Sequence, residues 1–123
     1  MRFTKSLNQN ADFTRLYRRG KTDSAKTIAI YFRKNGGRGQ RLGITVSAKL
    51  GGAVVRNRLR RRIREMYRLR EQRMIPGFDI IIVARAALIN APFSRLERDF
   101  DQLFLRNGLM TEESHEEGVH LVD

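Results

Sequence analysis

Cysteine is absent from this chain of 123 residues, which excludes a disulfide framework, a thiolate zinc site and a cysteine nucleophile. Long apolar runs are absent too, for nothing approaches the roughly 18 residues of a membrane span. Met1 to Asn10 lack the apolar stretch of a secretory signal, so a cytoplasmic protein with no membrane association is expected. Acid is scarce, with 13 Asp and Glu against 25 Lys and Arg and a formal charge of +12. Five of the acids (Glu112, Glu113, Glu116, Glu117 and Asp123) lie in the last dozen residues, where no Lys or Arg occurs. Residues 1–111 therefore hold 25 basic against 8 acidic residues, a net +17.

Such an excess is far beyond what solubility requires and points first to a polyanionic partner, nucleic acid or an anionic membrane surface. Twenty of the 25 cations are arginine. Its planar fork of donors grips phosphate bidentately and stacks on bases, whereas lysine acts as a hydrated point charge; a GC-rich genome would produce the same bias. The length suits one compact domain with a single core. Residues 1–111 are read as that domain, suited to a nucleic acid, and 112–123 as an acidic tail without periodicity, expected to be disordered.

Phe13, Leu16 and Tyr17 recur at helical spacing between Asn10, an available N-cap, and Gly20, placed for a C-terminal cap. Thr27 to Arg33 alternates, with Ile28, Ile30 and Phe32 on one face and Ala29, Tyr31 and Arg33 on a mixed second face. After the turn Asn35-Gly36-Gly37-Arg38-Gly39, Leu42, Ile44 and Val46 resume the alternation over Arg41 to Ser47, and the two strands are expected to form a hairpin. From Ala53 to about Arg70, Val55, Leu59, Ile63, Met66 and Tyr67 make one stripe of a long helix. Phe78 to Ala84 reads as an interior strand covered on both faces. Pro92 to Arg106 reads as a last helix burying Phe93, Leu96, Phe100, Leu103 and Phe104. The expected fold is a small single-domain α+β sandwich in the order α-β-β-α-β-α, with room for one further short strand near residues 21–25 and one strand-helix-strand crossover.

The long helix concentrates the charge, for nine arginines and only two acids, Glu65 and Glu71, lie between Arg56 and Arg73. At 100° per residue, Asn57, Arg61, Arg64 and Arg68 fall on one arc opposite the apolar stripe. A helix anchored by one face and presenting a row of guanidiniums on the other meets phosphates along a nucleic-acid backbone. The competing reading is an ordinary solvated face, although such faces usually mix signs because like charges at i, i+4 repel.

Ala53-Val54-Val55-Arg56-Asn57-Arg58-Leu59-Arg60-Arg61-Arg62-Ile63-Arg64-Glu65 resembles the signature of the bacterial ribonuclease P protein family, with Arg56-Asn57-Arg58 as its core. Asp12 to Lys21 resembles the family's first helix, Arg41-Leu42-Gly43-Ile44-Thr45-Val46-Ser47 its strand before the arginine helix, and Phe78 to Arg85 the strand after it. Together these cover about residues 3–108 in order and spacing. The resemblance implies a left-handed strand-helix-strand crossover, against the general right-handed preference. It implies that Arg56, Asn57, Arg58, Arg60, Arg61, Arg62, Arg64 and Arg68 face a catalytic RNA. Arg58 and Arg62, at the border of the apolar stripe, rank below Arg61 and Arg64. It further implies that the single-stranded leader of precursor tRNA binds between the first helix and the sheet, at Phe13, Tyr17, Ala29, Tyr31, Arg33 and Lys49. Rings beside cations suit unpaired bases. Spacing alone favours a core role for Phe13 and Tyr17; the resemblance favours the leader for Tyr17 and Tyr31 and leaves Phe13 between the two. Where many family members carry two lysines after the strand, this chain has Ala48-Lys49, so one leader or RNA contact is expected to be missing or supplied elsewhere.

No catalytic residue is assigned and no metal site. His115 and His120 lie in the tail, and Glu97, Asp99 and Asp101, beside Arg95 and Arg98, read as helix-surface ion pairs. The resemblance implies that the RNA subunit holds the magnesium ions and performs the cleavage, while the protein, with no obligate protein partner, tightens substrate binding. The rivals are a structural RNA-binding protein such as a ribosomal component, a DNA regulator reading the major groove, and a free-standing nuclease.

Overall fold

The computed structural model describes residues 1–112, so the tail expected to be disordered lies, from residue 113 on, outside the described residues. Its strands are β1 (Thr4–Ser6), β2 (Lys21–Ser24), β3 (Ile28–Lys34), β4 (Gln40–Thr45) and β5 (Phe78–Ala84), and its helices α1 (Asn10–Arg19), α2 (Ala53–Arg68) and α3 (Phe93–Arg106). They form one five-stranded sheet in the order β1-β4-β5-β3-β2. The expected hairpin of β3 and β4 does not form. β5 lies between them, antiparallel to β3 and parallel to β4. Its almost continuous apolar run needs cover on both faces and strand partners on both edges, and only the central place supplies all four. α2 carries the crossover from β4 to β5. The short strand allowed for near 21–25 is β2, antiparallel to β3.

One face of the sheet meets α2 and α3. Leu59, Ile63, Met66 and Tyr67 of α2 and Leu96, Phe100, Leu103 and Phe104 of α3 are fully buried against Ile28, Ile30, Ile80 and Ile82. Phe100 and Phe104 stack with centroids 4.1 Å apart. Phe93, expected in this core, is instead 49 % exposed; it opens α3 a turn before Leu96, the first fully buried position of that helix. The opposite face meets α1, whose Leu16 is buried with Leu7 and Ile81. Asn10 does not cap α1, because Gln9 holds the N-cap position and no side-chain cap forms. Gly20 is extended rather than left-handed; it is required because a Cβ there would lie 2.6 Å from the Leu16 carbonyl oxygen.

β1 has no alternation that would betray it, and its place comes from long-range partners. Buried Glu71 accepts the backbone N–H groups of Arg2 at 2.7 Å and Phe3 at 3.2 Å, and the Thr4 hydroxyl meets the buried Tyr67 hydroxyl at 3.0 Å. The acidic group of α3 is structural. Arg70, itself buried, is held by Glu97 at 3.0 Å and by Asp101. Buried Asp99 accepts the Thr27 N–H at 3.0 Å and hydroxyl at 2.7 Å and pairs with Arg95 at 3.1 Å, tying the start of β3 to α3.

These carboxylates make the fold acid-sensitive. Burial alone would raise Glu71, Asp79 and Asp99, but hydrogen bonds outweigh it: from Thr4 and the Arg2 and Phe3 amides to Glu71, from Arg41 and Asn35 to Asp79, and from Thr27 and Arg95 to Asp99. Asp23 is held low mainly by Arg106 and Asn107. With all four depressed in the folded state, the unfolded chain takes up protons first as pH falls below its carboxylate range near ~4, so the stabilisation is full at neutral pH and drains in acid. Thermal melts should show a midpoint that holds down to about pH 5 and drops steeply below about pH 4; a midpoint unmoved at pH 3 would contradict this assignment.

Candidate nucleic-acid interface

Each of the eight carboxylates in residues 1–111 is engaged within the protein. Asp12 meets Arg15 and Arg41, Asp23 meets Arg106, Glu65 meets Arg68, Asp79 meets Arg41, Asp99 meets Arg95, and Glu97 and Asp101 share Arg70. Glu71 holds backbone amides. Six arginines thus carry all of these ion pairs, and most of the positive charge has no carboxylate partner among the described residues.

The unpaired charge concentrates on α2. Asn57, Arg58, Arg61, Arg64 and Arg68 are exposed, and Arg56, Arg60 and Arg62 are half-buried. Arg68 alone of these arginines has an acid, Glu65, at 2.9 Å. Asn57 accepts from Arg60 at 3.1 Å, which orients that guanidinium along the helix surface. Arg62 faces inward, and its guanidinium donates to the carbonyls of Leu88 at 2.9 Å and Ala91 at 2.7 Å, bracing the turn that follows β5. The structure therefore separates Arg62 from the outward row of Asn57, Arg61 and Arg64, with Arg58 exposed beside that row. Val54, 83 % exposed, lies three residues before Asn57 and seven before Arg61, on the same side of the helix. The charge pattern could not single it out, since an apolar residue at a helix start ordinarily counts toward the core.

Across the sheet, α1 and the strands frame an aromatic cleft. Tyr17 is 42 % exposed and meets Tyr31 edge-on at 4.8 Å, while Phe13 lies 6.4 Å from Tyr17. The Tyr17 hydroxyl bonds the Thr45 hydroxyl at 3.1 Å. Thr45 was legible only as a strand residue; it follows Gly43 on the face away from α2. The register sets Ala29 beside Val83 and Thr45 beside Val83 on the other side, so Ala29 floors the same cleft. Lys49 is exposed on the turn Ala48–Leu50 beyond this end of β4. Arg85, also exposed, continues the Ile81–Val83 parity just past the end of β5, where the apolar run of the strand gives no sign of a site cation. Arg33 does not join them. It lies at the opposite end of β3, in a cavity with Arg15, Lys34, Arg38 and Arg41.

Gly43 lets α1 sit this close. A Cβ there would come within 2.7 Å and 2.9 Å of the Phe13 ring. Gly43→Ala should therefore displace Phe13, costing about 1–3 kcal/mol of stability and opening the cleft. Chemical denaturation together with the near-ultraviolet tyrosine signal checks it, and an unchanged signal would place the ring elsewhere.

The model of the ribonuclease P family matches residues 1–108. This chain belongs to the ribonuclease P protein family. The ribonuclease P protein component of Clostridioides difficile is 38 % identical over 107 residues, covering 86 % of this chain and 94 % of that one. Its counterpart in Alkaliphilus oremlandii is 37 % identical, covering 79 % and 85 %. Among solved structures, the RNase P protein of Staphylococcus aureus superposes with a TM-score of 0.78 at 29 % identity, over 86 % of this chain and 97 % of that one. That of Thermotoga maritima gives 0.75 at 32 %, over 83 % and 96 %. The ribonuclease P match ends at residue 108 and leaves the acidic tail outside it. Among the described residues no helix is long and apolar enough to cross a membrane.

Proposed function

We propose that this chain is the protein subunit of ribonuclease P that binds the catalytic RNA through the outer face of α2 and the 5′ leader of precursor tRNA in the cleft between α1 and the sheet. The observation that carries the reading is the division of the surface: a row of arginines almost free of acid on one helix, and, on the opposite side of the sheet, an exposed Tyr17 set edge-on against a half-buried Tyr31. Asn57, Arg61 and Arg64 grip phosphates, with Arg56, Arg58, Arg60 and Arg68 at their margin. Tyr17 and Tyr31 stack on unpaired bases, over Ala29 and beside Thr45, with Lys49 and Arg85 near the cleft's end.

No side chain is given a reacting role. Magnesium ions held by the RNA supply the chemistry of phosphodiester hydrolysis. The chain's own residues screen RNA phosphates, which lowers the cost of crowding substrate and RNA together. The carboxylates Glu97, Asp99 and Asp101, which a protein nuclease would need free, hold arginines instead.

The test is a mixture of this protein with a bacterial ribonuclease P RNA and leader-bearing precursor tRNA at low magnesium, with RNA alone and protein alone beside it. Leader release by the mixture only is expected. Binding without any change in cleavage would point to a structural RNA-binding protein, and cleavage by protein alone to a nuclease.

A further inference from the structure

The cavity that holds Arg33 has no part in the surfaces described above. It measures about 340 Å³ and is lined by Arg15, Arg33, Lys34, Arg38, Arg41 and Asp79, five cations to one acid. The acid is already taken. Arg41 grips both Asp79 oxygens, at 2.7 Å and 2.6 Å, and Asn35 donates to the same carboxylate at 2.9 Å. Asp12, which meets two of these arginines, is taken up weakly by Arg15 at 3.4 Å and Arg41 at 3.5 Å. Arg33, Lys34 and Arg38 are exposed and have no carboxylate among the described residues. Arg33, Lys34 and Arg38 therefore repel one another across the concavity with no carboxylate to offset them, and an entering anion would relieve that repulsion.

The cavity is also built rather than accidental. Asn35 accepts the Arg38 N–H at 3.0 Å and donates to the Gly39 carbonyl at 2.6 Å, while Gly36, Gly37 and Gly39 take the positive φ that the tight turn requires. The backbone bearing Arg38 is thereby held over the Asp79–Arg41 pair.

Its position suggests the ligand. In the sheet register Arg41, Asp79 and Arg33 form one row, and Gly43, Ile81 and Tyr31 the next on the same face. Successive rows of one face are about 7 Å apart, so the floors of the cavity and the aromatic cleft lie one row apart on either side of α1, which turns Phe13 and Tyr17 toward the cleft and Arg15 toward the cavity. No exposed ring lines it, so it offers charge without stacking.

We propose that this cavity is a phosphate subsite that receives the backbone of the same single RNA strand whose bases stack on Tyr17 and Tyr31. It takes phosphodiesters of any sequence, and it lengthens the stretch of leader the protein senses. The inference rests on the leader reading of the cleft.

The test uses Arg33→Gln with Arg38→Gln in the full chain assembled with the catalytic RNA, and measures affinity against salt for precursor tRNAs with long leaders, with leaders just long enough to fill the cleft, and with none. Two lost contacts at about 0.7 each should flatten the log–log salt slope by about 1.4. A loss of roughly tenfold or more confined to long leaders is expected, with an unchanged melting midpoint. Equal loss on all three RNAs, loss on the catalytic RNA alone, or no loss overturns the proposal. Tyr17→Ala run in parallel reports on the cleft by itself, which keeps failure of the cleft reading apart from failure of this one.

Discussion

Arg61→Gln combined with Arg64→Gln is expected to weaken binding to the catalytic RNA by roughly a hundredfold or more at moderate salt while leaving the fold intact. Both side chains are exposed, and neither has a carboxylate among the described residues, so their removal breaks no internal contact. A charge-assisted hydrogen bond contributes about 1.5–3 kcal/mol; two of them amount to roughly a hundredfold to ten-thousandfold in affinity. Each neutralised phosphate also contributes about 0.7 to 0.9 to the salt slope, the range from single strands to a B-form duplex, so the slope should fall by about 1.4 to 1.8 and the gap between variant and parent should narrow as salt rises. Arg62→Gln supplies the contrast. It takes the guanidinium from the Ala91 carbonyl and from the Leu88 carbonyl, which keeps only the Ala91 N–H at 3.2 Å, and should cost about 1–3 kcal/mol of stability with little change in RNA slope. Filter binding across a salt series and thermal melts read both. If the double variant melted early with its slope unchanged, the row would be a solvated face.

The contrast between Arg61 and Arg62 shows where the sequence stops being informative. Periodicity put both within one arginine-rich helix and could rank them only by angle from the apolar stripe. What removes Arg62 from the outward row is a pair of carbonyls 26 and 29 residues away, in a turn whose position depends on the whole sheet. α1, α2 and the core stripes were legible because amphipathic spacing is local, and β5 because its apolar run is. The pairing of β3 with β5 rather than β4 was not, since a short glycine-rich connection favours a hairpin locally and loses only to the demand of β5 for two neighbours. β1 was invisible for a similar reason: its stabilising partners are Glu71, Tyr67 and the edge of β4, none of them near it in the chain.

The site residues divide in the same manner. Ala29, Tyr31 and Arg33 share a strand face by alternation, yet α1 crosses that face and parts them, leaving Ala29 and Tyr31 with Tyr17 and Arg33 with Arg15 and Arg38. Alternation reports the side of a sheet but not the element laid over it. Gly43 is the counterpart on β4, a residue whose meaning is the nearness of Phe13 and which composition could register only as a weak point in a strand.

Tyr17→Ala should lower the preference for leader-bearing over leaderless tRNA by roughly 5- to 150-fold, the equivalent of losing about 1–3 kcal/mol of stacking on one base. The ring is held on two sides, edge-on by Tyr31 at 4.8 Å and through its hydroxyl by Thr45 at 3.1 Å, and still keeps 42 % of its surface exposed. A ring needed only for packing would be covered. Tyr17→Phe keeps the stacking surface and gives up the hydroxyl bond, so most of the preference should survive. Phe13→Ala should act chiefly on stability, because Phe13 is half-buried against Gly43 and the Leu16 cluster. The measured quantity is the ratio of affinities for the two tRNAs, with melting midpoints recorded alongside. A fall in the ratio for Tyr17→Ala with little change in midpoint supports stacking on the leader; a midpoint loss with the ratio intact would return Tyr17 to the core, where helical spacing alone had placed it.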